Sequence, residues 1–178
     1  PFLHSYIKNY NGPELEIDLL SRGWAEQLTG TYARENKGFY MKPKLDGSHG
    51  IEFKYSLGDM LENPNIVPLW QRVNEMGGTV GMMNVPTTFP AQEVDGFFVS
   101  GAGGGLNKVD GIPPEMCHPS SASKTLEDQN YVVDIRMGTA NFSTIDELLS
   151  SLETMAQART ESFIELSKTH KIDFGFLA

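Results

Sequence analysis

The chain has 178 residues, of which 39% are apolar and 21% charged, with 23 acidic residues against 14 lysines and arginines. This length and composition predict one compact domain over residues 1–178 and exclude collagen, coiled coil, a disulfide-rich miniprotein and wholesale disorder. The net charge of -9 argues against nucleic acid in bulk as a partner, because a phosphate backbone is bound mainly by clustered Lys and Arg. Small anionic ligands stay compatible with it, since local backbone dipoles can hold them.

The first half of the chain shows short elements separated by turn residues. Residues 1–10 predict an amphipathic helix, residues 15–19 alternate like a strand, and residues 23–28 predict a short helix that Thr29 and Gly30 end. Residues 31–50 are mostly loop, and residues 51–55 alternate again as a strand.

Longer apolar segments follow in the second half. A helix is predicted over 68–76, a strand buried on both faces over 79–84, and a short apolar strand over 94–100. Residues 101–123 read as loop. Residues 131–137 predict a strand, 143–170 the longest helix, and 172–178 a returning strand. Strands separated by helices predict a layered α/β fold with a mostly parallel sheet flanked by helices.

The compartment and the chain ends complete this outline. Cys117 is the only cysteine, so no internal disulfide can form, which fits a reducing compartment. No apolar run approaches the roughly 20 residues that span a bilayer, and no signal peptide is visible. We therefore expect a cytoplasmic protein without a membrane partner. Because both ends are apolar, whereas natural termini are usually polar and frayed, we also expect a segment of a longer protein.

Two motifs suggest chemistry only weakly. The run from Gly101 to Gly105 follows an apolar strand, but Leu106 stands where a dinucleotide-binding turn needs its third glycine. A loop at a strand end is the better interpretation. Cys117 and His118 pair a thiol with an imidazole, yet adjacent residues in an extended segment point apart, which argues against a catalytic dyad.

Ser21 is the more interesting position. It stands where a predicted strand gives way to a short helix and is followed by Arg22 and Gly23. Such a place exposes a hydroxyl at a helix N-terminus, where free N–H groups and the helix dipole favour an anion such as phosphate. An ordinary serine N-cap alone explains the residue, and local sequence favours that interpretation.

The stretch from Val80 to Pro90 reads Val-Gly-Met-Met-Asn-Val-Pro-Thr-Thr-Phe-Pro, and Gly96 to Gly101 reads Gly-Phe-Phe-Val-Ser-Gly. This order resembles the type I phosphodiesterase and nucleotide pyrophosphatase branch of the alkaline phosphatase superfamily. Three shorter segments keep the order of that family, so the resemblance covers most of the chain from Ser21 onward. They are residues 24–30, 155–159 and 172–174.

The resemblance implies an alkaline-phosphatase-like core that hydrolyses phosphate esters or diesters of a small phosphorylated substrate. Two divalent metal ions, usually zinc, would activate a Ser or Thr nucleophile that forms a covalent phospho-enzyme. Ser21 is the position that the resemblance favours for the nucleophile. Asn84 and Thr87, at the end of their strand, are candidate substrate-binding residues, and stabilisation of the turn at Pro86 is the structural alternative.

The resemblance places the metal ligands beyond both ends of this chain, which carries no Asp-x-x-x-His motif. We therefore expect an incomplete core, no metal ligand and no bound metal ion in this segment, and no turnover by the chain alone. Exposed apolar strand edges would favour self-association. Two other functions stay open: a non-catalytic α/β module that binds a ligand or partner, and a phosphoryl transferase.

Overall fold

The computed structural model describes residues 23–36, 41–43, 46–48, 50–53, 61, 63–101, 111–135 and 142–178. Contacts divide the chain into two compact units, Pro1–Leu69 and Trp70–Ala178. The predicted helix over 1–10 and the predicted strand over 15–19 lie outside the described residues. The single domain over residues 1–178 stays a prediction.

The first unit contains short elements. Residues 23–29 form helix α1, which confirms the predicted helix, and Ala33–Asn36 form α2. Gly30 ends α1 because it adopts a left-handed φ of 66°, which glycine tolerates without steric cost. Strand β1, Met41–Pro43, pairs antiparallel with β2, Ile51–Phe53. The strand β2 confirms part of the predicted strand over 51–55, whereas α2 and β1 fall where mostly loop was predicted.

The second unit is built on a four-stranded mixed sheet. Strand β3, Val80–Val85, lies at its centre and runs parallel to β4, Gly96–Ser100. The two outer strands are β5, Cys117–His118, which is antiparallel to β4, and β6, Phe174–Leu177, which is parallel to β3. This order, β5-β4-β3-β6, confirms a layered α/β fold with a mostly parallel sheet.

The described part of this unit contains three helices besides the sheet, and two of them match the predicted segments. They are α3, Leu69–Glu75; α4, Ala122–Asp128; and α5, Ile145–His170. A capping box starts α5, because the Thr144 hydroxyl accepts the N–H of Glu147 at 3.2 Å while the Glu147 carboxylate accepts the N–H of Thr144 at 3.3 Å. The helix therefore begins where the sequence predicts it.

Both faces of the sheet are packed with aromatic side chains. Phe97 and Phe98 are fully buried and, being adjacent on β4, point to opposite faces. Phe97 packs edge-on against Phe163 of α5, with ring centroids 5.7 Å apart, and Phe98 packs edge-on against Trp70 of α3 at 5.2 Å. The strands β3 and β4 are thus buried on both faces, as predicted for β3 from its continuous apolar run.

Two predictions in this unit were wrong. Residues 131–135 form no strand, although a strand was predicted over 131–137. The Arg159 side chain instead donates to the carbonyls of Val132 and Val133, and the N–H of Tyr131 donates to Leu126 at the end of α4. The predicted loop over 101–123 contains a 3-10 turn over Pro114–Met116, the strand β5 and the start of α4.

Hydrogen bonds between Thr79 and Asp173 close the amino-terminal edge of this sheet. The Asp173 carboxylate accepts the N–H of Thr79 at 2.9 Å and its hydroxyl at 3.0 Å. In return, the N–H of Asp173 donates to the Thr79 carbonyl at 2.9 Å. The bond from the Thr79 N–H, followed by the bond from its hydroxyl, holds the pKa of Asp173 below its usual value.

We expect Asp173→Asn to destabilise the chain at neutral pH and to reduce its acid sensitivity. Since the pKa is lower in the folded than in the unfolded state, the carboxylate stabilises the fold above the unfolded pKa, near 3.8, and this stabilisation is lost as the pH falls through the folded pKa. Urea unfolding at about pH 6 and about pH 2.5 tests this, because the difference between wild type and variant should shrink at the lower pH. Asp134→Asn controls for the loss of one exposed charge. An equal difference at both pH values would contradict the prediction.

Candidate functional site at the carboxyl edge of the sheet

The carboxyl ends of β3 and β4 meet at one edge of the sheet because the two strands are parallel. Their register shifts between Met83 and Val85, where Asn84 adopts a left-handed φ of 59°. Thr87, in the turn that follows, has a φ of 66°. Non-glycine residues rarely adopt this conformation, which costs about 1–3 kcal/mol and persists only where the surroundings enforce it. Two of the four non-glycine residues with a positive φ in the described part of the chain therefore lie at this edge.

The Asn84 side chain is held from two directions. Its amide nitrogen donates to the Ala178 carbonyl at 2.8 Å, and its amide oxygen accepts the Tyr131 hydroxyl at 3.2 Å. The Ala178 N–H in turn donates to the carbonyl of Met83 at 3.1 Å, so the chain after β6 is tied to β3 beside Asn84. Burial raises the pKa of Tyr131 above the usual value, which keeps the phenol protonated as a donor. Asn84 is thus fixed in one orientation.

Three hydroxyl side chains follow Asn84 along this edge, and all are buried. The Thr87 hydroxyl donates to the neighbouring Pro86 carbonyl, the bond that the turn interpretation expects. The Thr88 hydroxyl donates to Val85 at 2.7 Å and accepts the N–H of Gly101 at 3.3 Å. The Ser100 hydroxyl donates to the Thr88 carbonyl at 3.1 Å. These bonds connect the turn after β3 to the end of β4.

The structure therefore brings Asn84 and Thr87 to one edge, as predicted from their place after a strand. Thr88, Ser100 and Tyr131 were not singled out from the sequence. Thr88 and Ser100 could have been found by the same signal, since each lies at or just after the end of a buried strand. Tyr131 carried no such signal, because its hydroxyl reaches an amide 47 residues earlier in the chain.

Ser21 lies outside the described residues. The catalytic role of Ser21 therefore stays a prediction.

The thiol and imidazole at Cys117 and His118 do not form a nucleophilic pair. Cys117 has extended backbone angles, so the two side chains leave opposite sides of β5. Burial raises the pKa of Cys117 to about 12, which leaves almost no thiolate near neutral pH. Cys117 therefore acts as a small apolar core residue. The neighbouring His118 affects a different group: burial, followed by the nearby charge of His118, lowers the pKa of His170.

In the described part of the chain, no three His, Cys, Asp or Glu side chains lie close enough together to hold a metal ion. The described residues thus do not fit the two-metal site that the resemblance implies. In the same residues, no helix has the length and apolar character needed to cross a membrane.

Comparisons of this chain with models of protein families, with curated proteins and with solved structures found no match. The fold and the site together define an α/β protein with a strained, polar carboxyl edge. Any functional assignment therefore rests on the residues of this edge and on the sequence motifs described above.

Proposed function

We propose that this chain is part of an enzyme that hydrolyses phosphate esters or diesters, with Ser21 as the nucleophile and Asn84 and Thr87 in the substrate pocket. The observation that carries the proposal is the backbone strain at Asn84 and Thr87, at the carboxyl end of the central strand. Strained residues cluster at functional sites, and ligands of open α/β sheets bind beyond the carboxyl ends of the strands.

The polar character of this edge supports a small phosphorylated substrate. Asn84 donates one of its two amide hydrogens to Ala178, which leaves the other as a donor. The Thr87 hydroxyl donates to Pro86, so its oxygen lone pairs are left as acceptors. An amide N–H suits a phosphate oxygen, whereas the acceptor lone pairs of the Thr87 hydroxyl suit a donor such as a ribose-like hydroxyl. Because Tyr131 and Ala178 fix the Asn84 amide, its donor is oriented before substrate binds.

The proposed chemistry has two displacements at phosphorus. The Ser21 oxygen forms a bond to phosphorus while the bond to the ester oxygen breaks, and the hydroxyl proton ends on the departing alcohol. Water then attacks the phosphoserine, which releases the phosphate product and returns a proton to Ser21. The family that the sequence resembles uses two divalent ions, usually zinc, to activate such a nucleophile. We propose that their ligands lie elsewhere in the complete protein, that its core is alkaline-phosphatase-like, and that it works in the cytoplasm.

Activity assays on this chain and on the longest natural protein containing it test the proposal. With zinc and a nitrophenyl phosphodiester, we expect turnover by the longer protein, a loss of at least about a thousandfold in Ser21→Ala, and no turnover by residues 1–178 alone. Ser120→Ala, at an exposed serine, serves as the control and should keep full activity. An inactive longer protein, or one unaffected by Ser21→Ala, would refute the proposal. Added acceptor alcohols would reveal a transferase through phosphorylated alcohol as product.

A non-catalytic α/β module that binds a partner is the second candidate. One observation favours it: α5 carries large apolar side chains on its surface, with Ile145 75% and Leu149 52% exposed. Exposed apolar clusters of this kind mark interaction surfaces on soluble proteins.

A further inference from the structure

Helix α5 buries side chains only in its C-terminal half. Its 26 residues begin at Ile145, and the buried ones are Ala158, Ser162 and Leu166. At a rise of about 1.5 Å per residue, roughly 20 Å of helix precedes Ala158 without a buried side chain. The capping box at Thr144 nevertheless fixes the start of the helix. This half of α5 is therefore formed by local signals, and its side chains are half-buried or exposed.

The N-terminal half of α5 carries an apolar stripe, which we call the α5 stripe. It consists of Ile145, Leu148, Leu149, Leu152 and Met155. Their spacing places them on one face of a helix, and two heptads of such residues are the pattern by which one helix packs against another. Three of the five are half-buried, while Ile145 and Leu149 are exposed. The α5 stripe is therefore a preformed helix-packing surface.

The charged residues of α5 before Ala158 are all acidic, and the next cation along the helix, Arg159, binds the carbonyls of Val132 and Val133. Between Phe142 and Ala158 the chain carries Asp146, Glu147 and Glu153 and neither Lys nor Arg. Asp146 and Glu153 each follow a stripe residue directly, which places them about 100° around the helix from it. A second copy of this chain would add the same carboxylates and another net charge of -9. Electrostatic complementarity therefore favours a basic partner over self-association.

We propose that the α5 stripe docks a basic amphipathic helix of a partner protein. The partner's apolar residues at i, i+3, i+4 and i+7 would pack on the stripe, and its Lys or Arg residues would face Asp146 and Glu153. Because α5 is already helical and capped, only the partner has to become ordered on binding. This interaction does not depend on the proposed hydrolytic activity.

Fluorescence anisotropy with a labelled synthetic peptide tests the proposal. The peptide has about three heptads, with Leu at the a and d positions and Lys at the e and g positions. We expect saturable binding that Leu149→Ser weakens by at least about tenfold. Glu153→Lys should also weaken binding, and by less at about 0.5 M salt, because salt screens exposed charges.

Ile164→Ser provides the matched control, since Ile164 is a 46% exposed isoleucine of the same helix outside the α5 stripe. It should change the affinity by less than about twofold. Circular dichroism verifies that each variant is folded. Equal binding of a scrambled peptide, or no effect of Leu149→Ser, would overturn the proposal. So would sedimentation showing that the chain dimerises and that Leu149→Ser abolishes the dimer, because a second copy would then occupy the stripe.

Discussion

Gly96→Ala is expected to destabilise the fold by about 4 kcal/mol or more, the sum of overpacking and backbone strain. Gly96 starts β4 with a φ of +125° and pairs with Val80 of β3. A Cβ there would lie 2.8 Å from the Val80 nitrogen and 2.9 Å from its carbonyl carbon, and closer still to its oxygen. Because these are backbone atoms of the central strand, no side-chain rotation can relieve the clash. Urea unfolding, or the yield of soluble protein, measures the effect.

Gly77→Ala is the matched control for the backbone strain alone. Gly77 follows α3 with a φ of +81°, and a Cβ built there meets no atom within 4 Å. We expect a cost of about 1 kcal/mol, that of a non-glycine residue in the left-handed region. Equal losses in Gly77→Ala and Gly96→Ala would contradict the close approach of β4 to Val80.

Phe97→Ala is expected to cost about 3–5 kcal/mol, because it removes a fully buried aromatic side chain and leaves a cavity. Phe97 packs between β3 and α5, where its ring contacts Phe163 edge-on and lies 5.7 Å from the ring of His170. Its loss therefore separates the longest helix from the centre of the sheet. Thermal and urea unfolding should both show the decrease, with far-UV circular dichroism reporting any residual helix.

A double variant with Gly81→Ala tests whether Phe97 fills the space above the central strand. A Cβ at Gly81 would lie 2.6 Å from the Phe97 ring and 2.7 Å from the end of the Ile172 side chain. Gly81→Ala alone should therefore destabilise by overpacking. In the double variant the added methyl would enter the cavity that Phe97→Ala leaves. The double variant should therefore lose about 0.5–3 kcal/mol less free energy of unfolding than the sum of the two single losses. Strict additivity would show that the two positions do not compete for one space.

The longest helix and the central strands could be predicted from the sequence because their signals are local. Thr144 and Glu147 lie within one turn of helix, and the spacing of the apolar residues behind them indicates a helix over the whole of α5. The apolar run of β3 likewise indicates a strand buried on both faces. By contrast, β5 consists of Cys117 and His118 only, and it is a strand because β4 supplies its pairing partner. No periodicity can be recognised over two residues.

The candidate site was predictable in position but not in geometry. Asn84 and Thr87 were found because polar residues after a buried strand mark the sheet edge. Their left-handed conformations and the Tyr131 hydroxyl bond depend on contacts made after folding. The segment containing Tyr131 was assigned to a strand because its apolar composition resembles one, whereas Arg159 on α5 binds the carbonyls that a neighbouring strand would have used.

The sequence by itself determined the α/β class, the extent of α5, the burial of β3 and the place of the polar residues after it. Each of these depends on residues that are close along the chain. Only the tertiary structure decided the order of the strands, the fixed orientation of Asn84 and the exposure of the α5 stripe. These features depend on which distant segments meet: the carbonyl that Asn84 binds, for example, lies 94 residues later in the chain.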